Sequence, residues 1–277
     1  MTKTARHARR PRRAAPPPRR AAPLWDLLFG FLRWIGRYVR GFHGAVGTFL
    51  AAGFGVSLLL VLAFAELAEE VMQGETRAFD EAVLLWMHEH ARPWLTVAAL
   101  EVTALGSTVV VGMMVFVASV FLWLSRHRYS VLLLWVAMLG TGIINRTLKA
   151  LFDRPRPDLF PWRTPYAAHE SFPSGHAMTA MVAYATLAYL VSRLEPDPLP
   201  RRLMLGVAGA VIVLIGLSRL YLGVHYPTDV IAGYITGLVW ATCCALGIEA
   251  IRYFRHRRPE LAREEEDLDA GREEEER

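Results

Sequence analysis

Six long apolar stretches, separated by short polar connectors, run through the middle of the chain. They fall at roughly 46–65, 105–124, 130–150, 174–192, 203–222 and 228–249. A helix needs about 20 mostly apolar residues to cross the hydrocarbon core of a bilayer. The pattern therefore predicts an all-α, polytopic membrane protein with six transmembrane helices.

The charges of the connectors predict which side of the membrane each one faces. Positive charge is concentrated in the N-terminal arm, in "SRHRY" (125–129), in "PRR" (200–202) and in "RYFRHRR" (252–258). Six spans bring all four to one side, and an excess of Lys and Arg is typical of the cytoplasmic side. We therefore expect both termini inside. The segments expected outside are 66–104, 151–173 and 222–227.

Composition agrees with a membrane protein and separates the two ends by charge. The 277 residues are 53% hydrophobic, which is too apolar for an ordinary soluble domain of this charge content. Residues 1–40 hold eleven Arg or Lys and one acid, whereas residues 259–277 hold ten acids. The arm 1–23 is too poor in apolar side chains to fold on its own. We expect it to be disordered and to bind anionic lipid headgroups rather than nucleic acid.

The remaining boundaries follow from these patterns. Over 24–45, Arg33, Arg37 and Arg40 share one face of a helix whose other faces are apolar, which predicts an interfacial amphipathic helix. The membrane domain then covers 46–250, and a charged cytoplasmic tail covers 251–277.

The outer segment 66–104 is too polar to span the membrane. Phe79, Val83 and Met87 share a helical stripe there. Two interpretations stay open: a helix on the outer surface near a functional site, or a plain connector.

Ionisable residues gather at the outer ends of the predicted spans, where they are costly and usually functional. They come from three separate places: Lys149 and Arg156; His176, which follows Ser174 and Gly175; and Arg219, His225 and Asp229. Three cations and a helix start with free N–H groups suit an anion the size of phosphate. Two histidines, one with a carboxylate four residues later, suit a nucleophile and an acid. No carboxylate cluster is available to hold Mg²⁺, so no metal or other cofactor is expected.

These residues fall into three motifs with fixed spacing. "KALFDRPRP" fits K-x6-R-P through Lys149 and Arg156, "PSGH" ends at His176, and "SRLYLGVHYPTD" fits S-R-x5-H-x3-D from Ser218 to Asp229. In this the chain resembles the type 2 phosphatidic acid phosphatase family, which shares its site with vanadium haloperoxidases. The resemblance covers about 50–250.

The resemblance implies a role for each matched residue. Lys149, Arg156, Ser174, Gly175 and Arg219 would bind the phosphoryl oxygens. His225 would be the nucleophile that forms a phosphohistidine, Asp229 would orient it, and His176 would be the general acid. Arg154 offers a second Arg-Pro pair, but the spacing from Lys149 selects Arg156. The site would lie at the outer ends of spans 3 to 6.

The expected function is an integral-membrane phosphatase that hydrolyses a lipid phosphate or diphosphate at the outer face of a bacterial plasma membrane. Polyprenyl diphosphate, phosphatidic acid and phosphatidylglycerol phosphate all stay open as substrates, with a slight preference for recycling of a polyprenyl carrier lipid. The alternatives are a lipid phosphotransferase with the same site, a haloperoxidase, and a non-catalytic lipid-binding or transport protein. The motifs recognise phosphate and not the lipid tail, and the oligomeric state stays open.

Overall fold

The computed structural model describes the backbone of residues 45–164 and 169–275, and the side chains of residues 50–164 and 169–251. The helices in these ranges are α1 (Ala45–Gln73), α2 (Arg77–Glu89), α3 (Pro93–Ala104), α4 (Thr108–Leu124), α5 (Arg128–Phe152), α6 (Gly175–Leu194), α7 (Pro198–Tyr221) and α8 (Pro227–Glu275). The features below belong to one compact unit, Thr48–Arg277. The basic arm predicted over 1–23 and nearly all of the interfacial helix predicted over 24–45 lie outside the described residues.

Five described helices are long and apolar enough to cross a membrane, and a bent pair brings the number to six. The single spans are Leu50–Gln73, Arg128–Phe152, Gly175–Leu194, Pro198–Tyr221 and Pro227–Ile251. The bent pair is α3 and α4, which meet at 46° across a short break. The predicted all-helical, multi-span fold is therefore confirmed.

The bent pair corrects the sequence prediction for the second span. The predicted start at residue 105 falls inside the break, and α3 before it had been assigned to the polar outer segment. Pro93 begins α3 at a position where its missing N–H costs nothing. Ser107 begins α4 by accepting a hydrogen bond from the Val110 N–H on its side chain. Each half thus has its own helix start.

Helix α6 is central in the bundle and packs against α4, α5, α7 and α8. Its contact with α8 is so close that glycine is required there. A Cβ on Gly233 would lie 2.7 Å from the Ser174 carbonyl oxygen, and one on Gly237 would lie 2.9 Å from the Met178 carbonyl oxygen. This backbone contact brings the start of α8 against the start of α6.

Candidate active site

His225 and Asp229 lie at the start of α8, and a local capping arrangement holds them there. Tyr226 precedes the helix and Pro227 is its first residue. Asp229, in the first turn, accepts the Tyr226 N–H on Oδ2 at 2.9 Å, which is the reciprocal half of a capping box. The same oxygen lies 3.3 Å from Nδ1 of His225. Both side chains are buried, so the pair is shielded from bulk water.

The other ring nitrogen of His225 faces Arg156. Nη1 of Arg156 lies 3.1 Å from Nε2 of His225 and also donates to the Val224 carbonyl oxygen at 2.6 Å. A guanidinium group can only donate, so Nε2 is the acceptor and Nδ1 carries the proton toward Asp229. The lone pair of Nε2 therefore points to the cationic side of the site.

Burial and the neighbouring cations favour the neutral form of the His225 imidazole. Burial lowers its pKa well below the ordinary value, and Arg156, Arg219 and Lys149 lower it further. These three cations therefore lie within electrostatic range of one histidine, although they come from three different elements. Burial also lowers the pKa of Arg156.

Lys149 is in the last turn of α5, and the loop after α5 folds back over it. Its Nζ donates to the Glu170 carbonyl oxygen at 2.5 Å. Glu170 also forms an isolated antiparallel bridge with Pro155, so the two sides of the loop are joined next to this lysine. The bridge links the segment that carries Arg156 to the segment that leads into α6.

The start of α6 provides polar groups without protein partners. Ser174 precedes the helix and is completely buried, and its Oγ has no hydrogen-bond partner among the described residues. The Ser174 N–H donates to the Asp229 carbonyl oxygen at 2.9 Å. The N–H groups of the first turn, which include those of Gly175 and His176, have no acceptor inside the helix. A buried hydroxyl and free N–H groups at one helix start suit an anionic ligand.

Arg219 is in the last turn of α7 and is buried. Its Nη1 donates to Oγ1 of Thr103 at 2.9 Å, while its Nε has no partner among the residues that the structure describes. One buried guanidinium N–H is thus left for a further acceptor, which a phosphate oxygen could provide.

His176 lies beside the break between α3 and α4. A Cβ on Gly106, in that break, would lie 3.4 Å from Cδ2 of His176. His176 is also within electrostatic range of Arg219, His225, Arg156 and Lys149. All eight residues predicted from the motifs therefore meet at one end of the bundle.

Three further residues at this site were missed by the sequence analysis. Thr103 binds Arg219, and Arg154 and Asp80 form a buried network behind Asp229. Arg154 had been set aside by spacing. Asp80 is on α2, next to the predicted stripe of Phe79, Val83 and Met87. Phe79 is 55% exposed and Val83 and Met87 are half-buried, whereas Asp80 is fully buried. One sequence signal could have indicated Asp80: it is an acid one helical turn before Leu84, on the side of α2 that packs inward.

Metal-binding side chains and cysteines add nothing to this cluster. Among the described residues, no three His, Cys, Asp or Glu side chains are grouped so that they could hold a metal ion. Cys243 and Cys244 are free thiols.

Known proteins with the same features identify the class. The sequence model of the PAP2 superfamily matches residues 130–253. Phosphatidylglycerophosphatase B of Bacillus subtilis is 31% identical over 202 residues, which are 72% of this chain and 97% of that protein. Lipid A 1-phosphatase of Rhizobium etli is 33% identical over 127 residues, 40% of this chain and 50% of that protein.

A solved structure extends the likeness to the fold. The crystal structure of a transmembrane PAP2-type phosphatidylglycerolphosphate phosphatase from Bacillus subtilis matches with a TM-score of 0.67 at 29% identity. The match covers 70% of this chain and 96% of that one. The chain belongs to the PAP2 superfamily, which confirms the resemblance seen in its motifs. It is a multi-span membrane enzyme that hydrolyses lipid phosphates.

Proposed function

We propose that this enzyme removes the terminal phosphoryl group of a lipid phosphate or diphosphate through a phosphohistidine on His225, without a metal ion. The observation that carries the proposal is the orientation of His225: Nδ1 faces Asp229, and Nε2 faces the guanidinium group of Arg156. An oriented, neutral imidazole whose free lone pair faces fixed cations is suited to attack a phosphorus atom.

Substrate binding begins with an exchange of hydrogen bonds. The phosphoryl oxygens replace Nε2 of His225 and the Val224 carbonyl as acceptors for Arg156. They also accept from Lys149, from the free Nε of Arg219, and from Ser174 and the Gly175 N–H. Fixed donors of this kind stabilise the charge that spreads over the phosphoryl oxygens in the transition state.

Two displacement steps complete the reaction. Nε2 of His225 attacks phosphorus, the bond from phosphorus to the lipid oxygen breaks, and His176 gives that oxygen a proton. A water molecule then attacks the phosphohistidine, passes a proton to His176 and releases inorganic phosphate. Asp229 stabilises the positive charge that the imidazole carries between the two steps.

The lipid tail stays in the bilayer while its headgroup enters the site. Phosphatidylglycerol phosphate is the first substrate to test, because the relative from Bacillus subtilis is a phosphatidylglycerophosphatase. Polyprenyl diphosphate and phosphatidic acid remain candidates, because the contacts with the phosphoryl group are common to all three lipids.

We also propose that the protein lies in a bacterial plasma membrane with both termini in the cytoplasm and the site on the outer side. The four basic connectors on the opposite side support this orientation. The N-terminal arm would bind anionic headgroups on the inner side.

Phosphate release by the purified protein in detergent with EDTA tests the proposal. We expect release from at least one of the three lipids, and none from His225→Ala. His169→Ala is the matched control, because His169 is exposed and lies outside the cluster of motif residues. Release that stops in EDTA, or that persists in His225→Ala, would contradict the proposed mechanism. Recovery of the phosphoryl group on a second lipid instead of in solution would favour the phosphotransferase.

A further inference from the structure

Asp80 is a buried acid on α2, outside the three motifs and outside the part of the chain that matches the PAP2 superfamily. Its Oδ2 accepts from Nη2 of Arg154 at 2.8 Å and from Oγ1 of Thr228 at 2.7 Å. Its Oδ1 accepts the Thr228 N–H at 3.1 Å, and Thr76 Oγ1 lies 3.2 Å from Oδ2. A fully buried carboxylate that accepts this many hydrogen bonds holds its donors in place.

Arg154 bridges Asp80 to the site. Through Nη1 it donates to Oδ1 of Asp229 at 2.6 Å, while its Nη2 is bound to Asp80. The guanidinium carbon lies 4.2 Å from the centre of the Tyr226 ring, which restrains the plane of the group. The side chain is only 13% exposed, so solvent screens these pairs weakly.

Asp229 therefore uses its two oxygens for two different tasks. Oδ1 is bound by Arg154, and Oδ2 faces Nδ1 of His225 and the Tyr226 N–H. Because both oxygens accept hydrogen bonds, rotation of the carboxylate is restrained and Oδ2 stays aimed at the imidazole.

We propose that Asp80 and Arg154 are positioning residues for the proposed reaction: Asp80 holds and neutralises Arg154, and Arg154 in turn fixes Asp229 against His225. The chain Asp80–Arg154–Asp229–His225 connects helix α2 to the nucleophile. The inference rests on the proposed function, since it concerns the rate at which His225 reacts.

The alternation of negative and positive charges from Asp80 through Arg154 to Asp229 explains why Asp80 is needed. If Arg154 had Asp229 as its only partner, its positive charge would offset the negative charge that stabilises the imidazole during phosphoryl transfer. With Asp80 on the other side, the guanidinium charge is shared between two carboxylates, and Asp229 keeps its effect on His225. Phosphate binding would change little, because Lys149, Arg156 and Arg219 take no part in this chain.

The test is a double-mutant cycle with Asp80→Asn and Arg154→Gln in the full-length protein in detergent, using the lipid that the wild type hydrolyses fastest. Asn keeps the size of Asp80 and an oxygen for the Thr228 N–H, and it removes the charge that faces Arg154. We expect Asp80→Asn to lower kcat by about tenfold, with KM and the inhibition constant for inorganic phosphate within about twofold of the wild-type values.

The second half of the cycle tests whether Asp80 acts through Arg154 or only supports the fold. In the Arg154→Gln background, Asp80→Asn should change kcat by less than about twofold, because its effect is transmitted through Arg154. An equal loss in both backgrounds would overturn the proposal and leave Asp80 as a cap on α8 through Thr228. Glu81→Gln is the matched control, because Glu81 is the neighbouring acid on α2 and is paired with the exposed Arg77.

If Asp80→Asn does not fold, Arg154→Lys decides the question. Lysine keeps the charge but has a single ammonium group, which cannot bind both carboxylates as the guanidinium fork does. The proposal expects a loss of kcat of about tenfold, and an unchanged kcat would overturn it. Wild type and His225→Ala are measured beside these variants. An inactive wild type or an active His225→Ala would contradict the proposed function and this inference with it. An Asp80→Asn variant with the kcat of the wild type, beside an inactive His225→Ala, would contradict this inference alone.

Discussion

Oγ1 of Thr103 accepts a hydrogen bond from Nη1 of Arg219 at 2.9 Å, across 116 positions of sequence. Both side chains are buried, and the bond joins α3 to the last turn of α7. The bent second span is therefore in direct contact with a residue proposed to bind the phosphoryl group.

Replacing this hydroxyl should weaken phosphate binding. Thr103→Val keeps the shape of the side chain but leaves a buried guanidinium N–H unpaired, which costs about 1–3 kcal/mol. Arg219 then loses its fixed orientation, and we expect the inhibition constant for orthovanadate or inorganic phosphate to rise by about fivefold. Thr103→Ser keeps the hydroxyl and should behave as the wild type does. Equal inhibition constants for Val and wild type would show that Arg219 is held by other contacts.

The break between α3 and α4 should tolerate no side chain at Gly106. A Cβ there would lie 2.6 Å from Cγ2 of Ile215 and 3.4 Å from His176, so Gly106→Ala should push the break away from α7 and disturb the proposed general acid. We expect a loss of stability of about 1–3 kcal/mol, with a lower kcat. The measurements are detergent unfolding and turnover.

Two variants make that experiment decisive. Gly112→Ala adds the same methyl group where nothing lies within 4 Å, and it should leave kcat unchanged. Ile215 is fully buried, so Ile215→Ala destabilises the protein by itself, but it removes the clashing methyl group. In the Ile215→Ala background, Gly106→Ala should therefore cost less stability than it does in the wild type. An equal cost in both backgrounds would mean that the backbone of Gly106, and not its contact with Ile215, is the sensitive feature.

Acid should destabilise the protein through His225. Its pKa is depressed in the folded state, so below the ordinary histidine value of about 6.5 the unfolded chain binds a proton that the folded chain does not. The stability contributed by this group is present above that pH and is lost as the pH falls toward the folded-state pKa, by up to about 1.4 kcal/mol per pH unit.

The measurement is SDS-induced unfolding in mild detergent at pH 7.5, 6.5 and 5.5. His225→Gln has no titrating ring, so its stability should fall less steeply between the two lower pH values than that of the wild type. Parallel curves for the two proteins would show that His225 titrates normally in the fold.

The proposed orientation predicts which loops can be reached from outside the cell. With Cys243 and Cys244 replaced by Ala, a cysteine at Asp158 should react with a membrane-impermeant maleimide in intact cells. A cysteine at Arg126 should react only after the cells are opened. The opposite pattern would put the active site on the cytoplasmic side.

Local patterns were sufficient to predict an all-helical, multi-span fold and to locate the three motifs. Each motif is contiguous or nearly so, and its spacing reflects one helix end or one loop. His225 and Asp229, for example, are four residues apart in the sequence, and a capped first turn of α8 brings their side chains together. Spans of about twenty apolar residues are equally local signals.

No such local pattern marks the residues that support the motif residues from other helices. Asp80 meets Thr228 across 148 positions, and Thr103 meets Arg219 across 116. Neither is marked by its neighbours, because a single acid or threonine in a helix is usually a surface residue. Which residues of α2 are fully buried depends on the helices that it packs against, and the apolar periodicity of the segment does not mark an acid such as Asp80. The break in the second span was hidden for a related reason, since Glu101 interrupts the apolar run that leads into it.

The arrangement of helix ends affects how much the site has to reorganise during catalysis. Lys149 and Arg219 lie in the last turns of α5 and α7, where the helix macrodipole is negative, and Asp229 lies in the first turn of α8, where it is positive. Each charge thus meets a partial charge of opposite sign, worth about 0.3–1 kcal/mol per residue. The backbone itself stabilises these ions before any phosphate arrives. The charged groups of the site are therefore stabilised in place before the substrate binds, and the chemical step requires little reorganisation of the protein.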